Sequence, residues 1–178
     1  FNFPLENCRI LCYSIYMDKK QAPLLTLRLV VLKKGFDFMN SFMKLAKECA
    51  EKGVANNEGG PFGAVIVDSQ NNLVSTGNNR VIIDNDPTAH AEMVAIRLAC
   101  KKLNSYDLSN MTLYTSCEPC PMCLSAIIWS NIKNVYFGCT KNDADNIGFR
   151  DDLIYEYLKG NNLDLLNLQP LDRLDCIR

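Results

Sequence analysis

Two short motifs, nearly thirty residues apart, place the strongest constraint on how this chain folds. TAHAE contains the single histidine of the sequence, His90, two residues before Glu92. PCPMC places Cys120 and Cys123 three residues apart. Each motif opens a predicted helix, so a fold that uses both must bring the N-terminal ends of two helices to one point.

The spacing of the histidine and the glutamate is unusual for a helix. Residues two apart point to nearly opposite sides, so no single core-facing stripe accounts for both His90 and Glu92. Both can still address one point beyond the N-terminal end of the helix, where free backbone N–H groups and the helix dipole favour an anion. The alternative is that His90 is a structural residue, which is the commoner case for a histidine at such a position.

The two cysteines of PCPMC are the natural partners of this histidine. Cys120 and Cys123 lie on one helix face, within reach of one ion. One imidazole and two thiolates suit zinc, and three ligands leave a position for water, which is typical of a catalytic zinc site. The alternative is a closed structural site that also uses Cys117, but Cys117 precedes Pro119 at a strand end, and this site leaves Glu92 without a role.

The order of the two motifs has a known chemical meaning. H-x-E followed by P-C-x-x-C is the signature of zinc-dependent nucleobase deaminases. In that chemistry zinc lowers the pKa of a bound water towards neutrality. Glu92, which is not a ligand, then moves the water proton to a ring nitrogen and later to the departing ammonia. The backbone N–H of Ala91 and the region of Cys120 help to hold the developing oxygen charge. We therefore predict hydrolytic deamination.

Hydrophobic periodicity predicts an α/β domain. Helical spacing favours a helix over 41–53 that stops at Gly53, and AVIVDS and LVSTGNNRVI flank a β-hairpin turn. Thr88 is predicted to cap a helix over 89–103. That helix is expected to bury Val94, Ala95, Leu98 and Ala99.

The second half of the chain continues the alternation of strands and helices. MTLYTS and NVYFGC are predicted strands, and PCPMCLSAIIWS is a predicted helix with prolines in its first turn. A shorter helix near 152–159 and an extended LDLLNL follow. Strands interleaved with helices after an opening hairpin predict a mixed sheet covered on both faces, a three-layer α-β-α domain.

The length of the chain, 178 residues with 48% hydrophobic, suits one well-packed domain. Residues 1–38 differ from the rest, and the first clear helical pattern opens at Met39. We expect residues 39–178 to form the zinc-dependent domain and residues 1–38 to be an N-terminal extension outside the native domain. The alternative is that this segment adds a helix or strand packed on the domain.

Charge and cysteine content narrow the possible partners and compartment. Lysine plus arginine (19) nearly balance aspartate plus glutamate (20), which argues against broad capture of nucleic acid or an anionic membrane. No apolar run reaches transmembrane length. The nine cysteines are odd in number and three crowd into 117–123, so metal binding in a reducing compartment is favoured over a disulfide framework. We expect a cytoplasmic protein.

From about Asn40 to Tyr157 the chain resembles bacterial guanine deaminases of the cytidine-deaminase superfamily. The resemblance rests on GGPFGAVIVD, NDPTAHAEMVAIR, LYTSCEPCPMCLSAI and DADNIGFRDDLIYEYL. The first three are shared, more loosely, with tRNA adenosine deaminases and fungal-type cytosine deaminases, whereas the last discriminates between them. The resemblance implies a cytidine-deaminase-like fold, Zn²⁺ as cofactor, a role in purine salvage or catabolism, and a homodimer, in some relatives with exchanged C-terminal segments.

The same resemblance implies a set of substrate contacts. Asn79 holds the purine, Asp151 recognises its amino edge, and Phe62 and Trp129 line the pocket. Guanine presents N1–H and a 2-amino group side by side, two donors that match a carboxylate, whereas adenine and cytosine offer no such pair. The alternative for Asp151, and for Asp152 beside it, is that they only cap the following helix.

Three classes of function remain open at this stage. The first is deamination of guanine to xanthine and ammonia. The second is a tRNA-specific adenosine deaminase, or a cytosine deaminase. A tRNA enzyme needs a basic surface and a pocket for a flipped nucleotide, and the absence of Lys/Arg clusters near the motifs counts against it. The third is a non-catalytic zinc-binding domain, against which Glu92 argues.

Overall fold

A four-stranded sheet forms the centre of the protein. The computed structural model describes residues 40–149 and 151–177, so the predicted extension over 1–38 lies outside them. The sheet order is β2-β1-β3-β4, with β1 antiparallel to both β2 and β3, and β3 parallel to β4. The strands are β1 (Gly63–Val67), β2 (Leu73–Asn78), β3 (Thr112–Cys117) and β4 (Asn134–Cys139). The predicted mixed sheet is confirmed.

Helices cover this sheet on both faces. Because side chains alternate along a strand, β1 divides four of its five buried residues between two cores. Val65 and Val67 pack with Ala46 of α1 (Ser41–Ala55). Ala64 and Ile66 belong to the core formed with α2 (Ala91–Leu103) and α3 (Pro121–Trp129). The three-layer α-β-α architecture is therefore as predicted.

The first helix is longer than the sequence pattern indicates. Its N-terminus is capped by the Asn40 side chain, which accepts the backbone N–H groups of Phe42 and Met43. The helix continues past the predicted stop at Gly53 and ends at Ala55. Gly53 is present because a Cβ there would collide with the Asn78 side chain, not because the backbone turns left-handed at that point.

Close packing of α2 on β2 sets the height of the histidine motif above the sheet. A Cβ on Gly77 would collide with the backbone of Ala91 and Ala95, so only glycine permits this approach. The buried stripe of α2 is centred on small residues, including Ala95 and Ala99. The predicted burial of Leu98 was wrong: its side chain is 47% exposed, because the alanines bring the helix axis so close that Leu98 lies on the outer flank. Val94 is only partly buried.

The predicted cap of α2 was also wrong. The Thr88 hydroxyl donates to Asp86 and accepts from Arg97, so it does not bond the helix amides. The helix begins at Ala91 with His90 as its N-cap residue. The preceding strand ends at Asn78, earlier than predicted, because the chain turns after Arg80 and the amides of Ile82 and Ile83 bond the Glu58 carbonyl.

The C-terminal part contains short elements. These are α4 (Lys141–Asp145), α5 (Asp152–Leu158), a 3-10 turn (Leu163–Leu165) and α6 (Arg173–Cys176). The predicted extended conformation of LDLLNL was wrong for its first three residues: Asn162 adopts a left-handed conformation and its carbonyl accepts the amide of Leu165, which closes the 3-10 turn. No helix in the described ranges combines the length and the apolarity needed to cross a bilayer.

Candidate metal and substrate site

Three predicted ligands meet between the N-terminal ends of α2 and α3. His90 is the N-cap residue of α2, Cys120 is the N-cap residue of α3, and Cys123 lies in the first turn of α3. The Nδ1 atom of His90 is 3.5 Å from Cys120 Sγ and 3.6 Å from Cys123 Sγ. Among residues 40–149 and 151–177 this is the single group of three His, Cys, Asp or Glu side chains with donor atoms this close together.

The spacing of these donor atoms fits one zinc ion. Tetrahedral zinc with bonds of about 2.3 Å to sulfur and about 2.0–2.1 Å to nitrogen separates a nitrogen from a sulfur by roughly 3.6 Å. The two nitrogen–sulfur distances agree with this value. Three donors leave the fourth tetrahedral position for a water molecule.

The two sulfurs differ in proton affinity. The neighbouring Cys123 side chain lowers the pKa of Cys120 to about 4, and His90 acts in the same direction. The proximity of Cys120, together with burial, raises the pKa of Cys123. Cys120 is therefore the sulfur that loses its proton more readily, and a bound cation favours loss of the proton from both cysteines.

The Glu92 carboxylate lies beside this cluster without joining it. Its side chain is 5% exposed, and burial raises its pKa. The Thr115 hydroxyl donates to Oε1 at 2.9 Å, and the Cys123 thiol lies 3.4 Å from Oε2. A buried carboxyl group at this position suits proton transfer next to a metal ligand set.

Cys117 occupies a separate position. It is the last residue of β3, and its thiol is directed at the carbonyl of Thr140 at 3.6 Å. Burial raises the pKa of Cys117 to about 12, so this thiol keeps its proton. Cys117 does not belong to the group formed by His90, Cys120 and Cys123, which argues against the closed four-ligand alternative.

The Asn79 side chain is fixed in place by hydrogen bonds and close packing. It is buried, and its Oδ1 accepts the backbone N–H groups of Gly60 at 3.1 Å and Val81 at 3.2 Å. A Cβ on Gly59 would collide with this same oxygen. Because both bonds use the oxygen, the orientation of the amide is determined, and Nδ2 takes no part in these two bonds.

Phe62 and Asp151 approach the site from different loops. The Phe62 and Phe149 rings pack in a T-shaped arrangement with 4.6 Å between their centroids, which joins the loop before β1 to the segment before α5.

Burial raises the pKa of Asp151; the charge of Cys120 raises it further and that of His90 lowers it. The carboxylate therefore lies within electrostatic range of two of the ligands. Asp151 is the N-cap residue of α5, but its side chain makes no capping hydrogen bond.

Trp129 is not brought to the other predicted residues within this chain. It is the last residue of α3, roughly 13 Å along the helix axis from Cys120. Its side chain is 84% exposed.

Ala91 is the first residue of α2, where the backbone N–H groups have no intrahelical acceptor.

Two residues at the site were not predicted from the sequence. Thr115 bonds Glu92, and Phe149 packs against Phe62. A signal for Thr115 was available: strand alternation places it on the same sheet face as Leu113 and Cys117, so a hydroxyl there points into the core beneath α2. Phe149 follows an irregular turn, and no periodicity locates such a residue.

The fold and the site define a zinc-dependent deaminase domain, and comparison with known proteins agrees. The cytidine and deoxycytidylate deaminase zinc-binding region matches residues 37–139. The chain therefore belongs to this family, whose cofactor is zinc.

Individual relatives are similar over most of their own length. Guanine deaminase from Bacillus subtilis is 51% identical over 116 residues, which cover 65% of this chain and 74% of the relative. A tRNA-specific adenosine deaminase from Haemophilus influenzae is 40% identical over 129 residues, 72% of this chain and 74% of the relative. The crystal structure of the B. subtilis guanine deaminase superposes with a TM-score of 0.70 at 43% identity, covering 78% of this chain and 92% of that one.

Proposed function

We propose that this protein hydrolyses guanine to xanthine and ammonia. The relative with 51% identity is a guanine deaminase, and so is the solved structure with a TM-score of 0.70. The observation on this chain that carries the proposal is Asp151, a half-buried carboxylate without a capping bond beside the ligand cluster. Such a carboxylate matches the paired N1–H and 2-amino donors of guanine.

We propose the following division of labour within the site. His90, Cys120 and Cys123 hold the zinc, which, when bound, supplies a water of lowered pKa. Glu92 accepts the proton of that water and delivers it to a ring nitrogen of the purine and then to the departing amino group. The backbone N–H of Ala91 donates to the oxygen that develops negative charge at the carbon under attack.

The remaining residues orient the base. The Nδ2 atom of Asn79 donates to an acceptor of the purine, since its oxygen is already engaged by two backbone amides. Phe62, supported by the edge of Phe149, offers a flat apolar surface for the ring. Asp151 accepts from the amino edge, which places C2, the carbon that carries the amino group, next to Glu92 and the ligand cluster.

Asp151→Asn tests the choice of substrate. Asparagine replaces one acceptor with a donor that faces a donor of guanine, and the cost of such a mismatch predicts at least a tenfold loss in kcat/KM, on the order of 1–3 kcal/mol or more. The matched control is Asp152→Asn, an exposed acid in the first turn of the same helix. Zinc content and melting temperature should stay unchanged in both variants. If guanine turnover by Asp151→Asn equals that of the wild type, the reason for choosing guanine is removed.

A panel of substrates separates guanine from the other bases of this family. Ammonia release is measured from guanine, adenine, cytosine, adenosine and tRNA. Deamination of tRNA requires a surface that attracts phosphates, whereas this chain has a formal net charge of −1. Release from guanine alone supports the proposal, and release from tRNA in preference to guanine contradicts it.

We further propose that two copies of the chain assemble through exposed apolar surfaces and exchange their C-terminal segments. Among the described residues, apolar side chains are exposed on the outer face of α3, on β4 and along the C-terminal segment, and a large exposed apolar patch is typical of an interaction surface. They include Leu124, Ile128, Trp129, Tyr136, Phe137, Leu166, Leu168, Leu171 and Leu174. In such a dimer Trp129 is covered, and residues of the second copy approach the pocket.

We also propose a cytoplasmic location, a role in purine breakdown or salvage, and a domain that extends over 39–178 with 1–38 as an extension. All seven cysteines in the described ranges are free, which suits a reducing compartment. The family match begins at residue 37, close to the proposed boundary. Expression of 39–178 alone tests the boundary: zinc content and activity equal to those of the full chain support it.

A further inference from the structure

One buried hydroxyl group bonds the proposed proton carrier. Thr115 Oγ1 donates to Glu92 Oε1 at 2.9 Å, and both side chains are almost entirely removed from solvent. Thr115 lies in the middle of β3, paired with Ala64 of β1 on one side and with Phe137 of β4 on the other. A β-branched side chain in a strand that is paired on both sides has little rotational freedom, so this hydroxyl is a rigid donor.

The second contact of Glu92 changes when zinc is bound. The Cys123 thiol donates to Oε2 at 3.4 Å, but a cysteine that ligates zinc is a thiolate and has no proton to give. Thr115 is then the remaining side-chain donor to Glu92 among the described residues. The two carboxylate oxygens then differ in their hydrogen-bond partners. Oε1 accepts from Thr115, and Oε2 is free to take a proton.

We infer that Thr115 is a positioning residue for the deamination chemistry. Its hydroxyl holds the Glu92 carboxylate in one rotamer and makes Oε2 the oxygen that carries the proton between water and substrate. This inference rests on the proposed function of the site as a deaminase, but not on the identity of the base. Without the hydroxyl, the carboxylate can rotate and productive alignment for proton transfer becomes rarer.

Two substitutions at this position separate the hydroxyl from the shape of the side chain. Thr115→Val keeps the branched shape and removes the donor, whereas Thr115→Ser keeps the donor and removes a methyl group. We expect Thr115→Val to lower kcat roughly ten- to a hundredfold, as expected for the loss of a hydrogen bond to a charged group, with KM changed less than about threefold. Thr115→Ser should recover most of the lost kcat. The matched control is Ser75→Ala, which removes another buried hydroxyl, one that bonds the Ala95 carbonyl of α2 without contacting Glu92.

A double-mutant cycle with Glu92→Gln decides whether Thr115 acts through Glu92. If it does, Thr115→Val causes little further loss of kcat in the Glu92→Gln background. A crystal structure of zinc-loaded Thr115→Val gives a readout besides activity, and we expect Glu92 in a second rotamer or spread over several. An unchanged kcat in Thr115→Val, an equal loss in both backgrounds, or an unchanged Glu92 rotamer would each overturn the inference. The assays use whichever base the wild type deaminates, so failure of the wild type on guanine counts against the proposed substrate alone.

Discussion

The two ends of α3 present opposite environments to a substrate. At the N-terminal end, Cys120 and Cys123 are buried beside His90 and Glu92 at the start of α2. At the C-terminal end, the outer side chains Ile128 and Trp129 are exposed to water. The same contrast separates the strands: every residue of β1 is buried, and no residue of β4 is. One chain thus brings the three ligands and Glu92 together at the N-terminal end of α3, the metal end of the molecule, whereas the C-terminal end of α3 and β4, the open end, keep much of their surface exposed.

This contrast has a physical cause. Metal ligands and the proton carrier must be held by rigid neighbours, and β1, β3 and the first turns of α2 and α3 provide them. Among the described residues, β4 is one of the two edge strands of the sheet, β2 being the other, and none of its residues is buried. Loss of a metal-end contact should therefore affect chemistry, whereas changes at the open end should affect assembly or substrate affinity.

The largest expected effect comes from removing a zinc ligand. Cys120→Ser or Cys123→Ser should reduce the zinc content from about one ion per chain to nearly none and abolish activity, because two remaining ligands hold zinc weakly. Cys117→Ser is the matched control, since this buried thiol lies outside the ligand group and should leave zinc in place. The metal is measured by mass spectrometry on purified protein. Equal loss from the Cys117 variant would mean that the wrong thiols are assigned.

The next effect separates chemistry from metal binding at the same end. Glu92→Gln keeps the shape of the side chain and the three ligands but removes the proton carrier. We expect zinc content near that of the wild type and a fall in kcat on the order of 10²–10⁴. Steady-state ammonia release checks this, and a variant that keeps full activity would contradict the deaminase mechanism.

At the open end, a charge on the apolar surface should act on assembly. Ile128→Asp places a carboxylate where the proposed dimer buries an aliphatic side chain, so the dissociation constant of the dimer should rise at least tenfold. Leu98→Asp is a control of comparable exposure on α2. Light scattering across a concentration series measures the change. Zinc content should be unaffected in both variants, and an unaltered dimer in Ile128→Asp would argue against this interface.

The smallest effect concerns the titration of Asp151, the half-buried carboxylate within electrostatic range of Cys120 and His90. Burial raises its pKa, and only the ionised carboxylate accepts two hydrogen bonds from guanine. As the pH falls through this raised pKa, the group takes up a proton and KM for guanine should rise by several fold. KM measured from neutral to mildly acidic pH checks this, and Asp151→Asn should remove this component of the profile. A KM that stays flat in the wild type would show that Asp151 does not titrate in binding.

The metal end was the part of the site that the sequence predicted most completely. His90, Glu92, Cys120 and Cys123 lie at helix starts, where local rules of capping and spacing apply, and the structure brings them together. The α/β class and the mixed sheet were also predictable, because periodicities of 2 and 3.6 report which faces are buried. The exact start of α2 was not, since the Thr88 hydroxyl bonds Asp86 and Arg97 instead of the helix amides. The exposure of Leu98 was not either, since it depends on how closely small residues let the helix approach β2.

The sequence by itself determined which donor atoms are available and that two helix N-termini must converge, because ligand type and local spacing are properties of short segments. Only the tertiary structure decided which groups lie around them. It placed Thr115 under Glu92, separated Cys117 from the ligands and left Trp129 in water. Contacts of this kind join residues that are far apart in the chain, and they follow from strand register and helix packing, which no local pattern encodes.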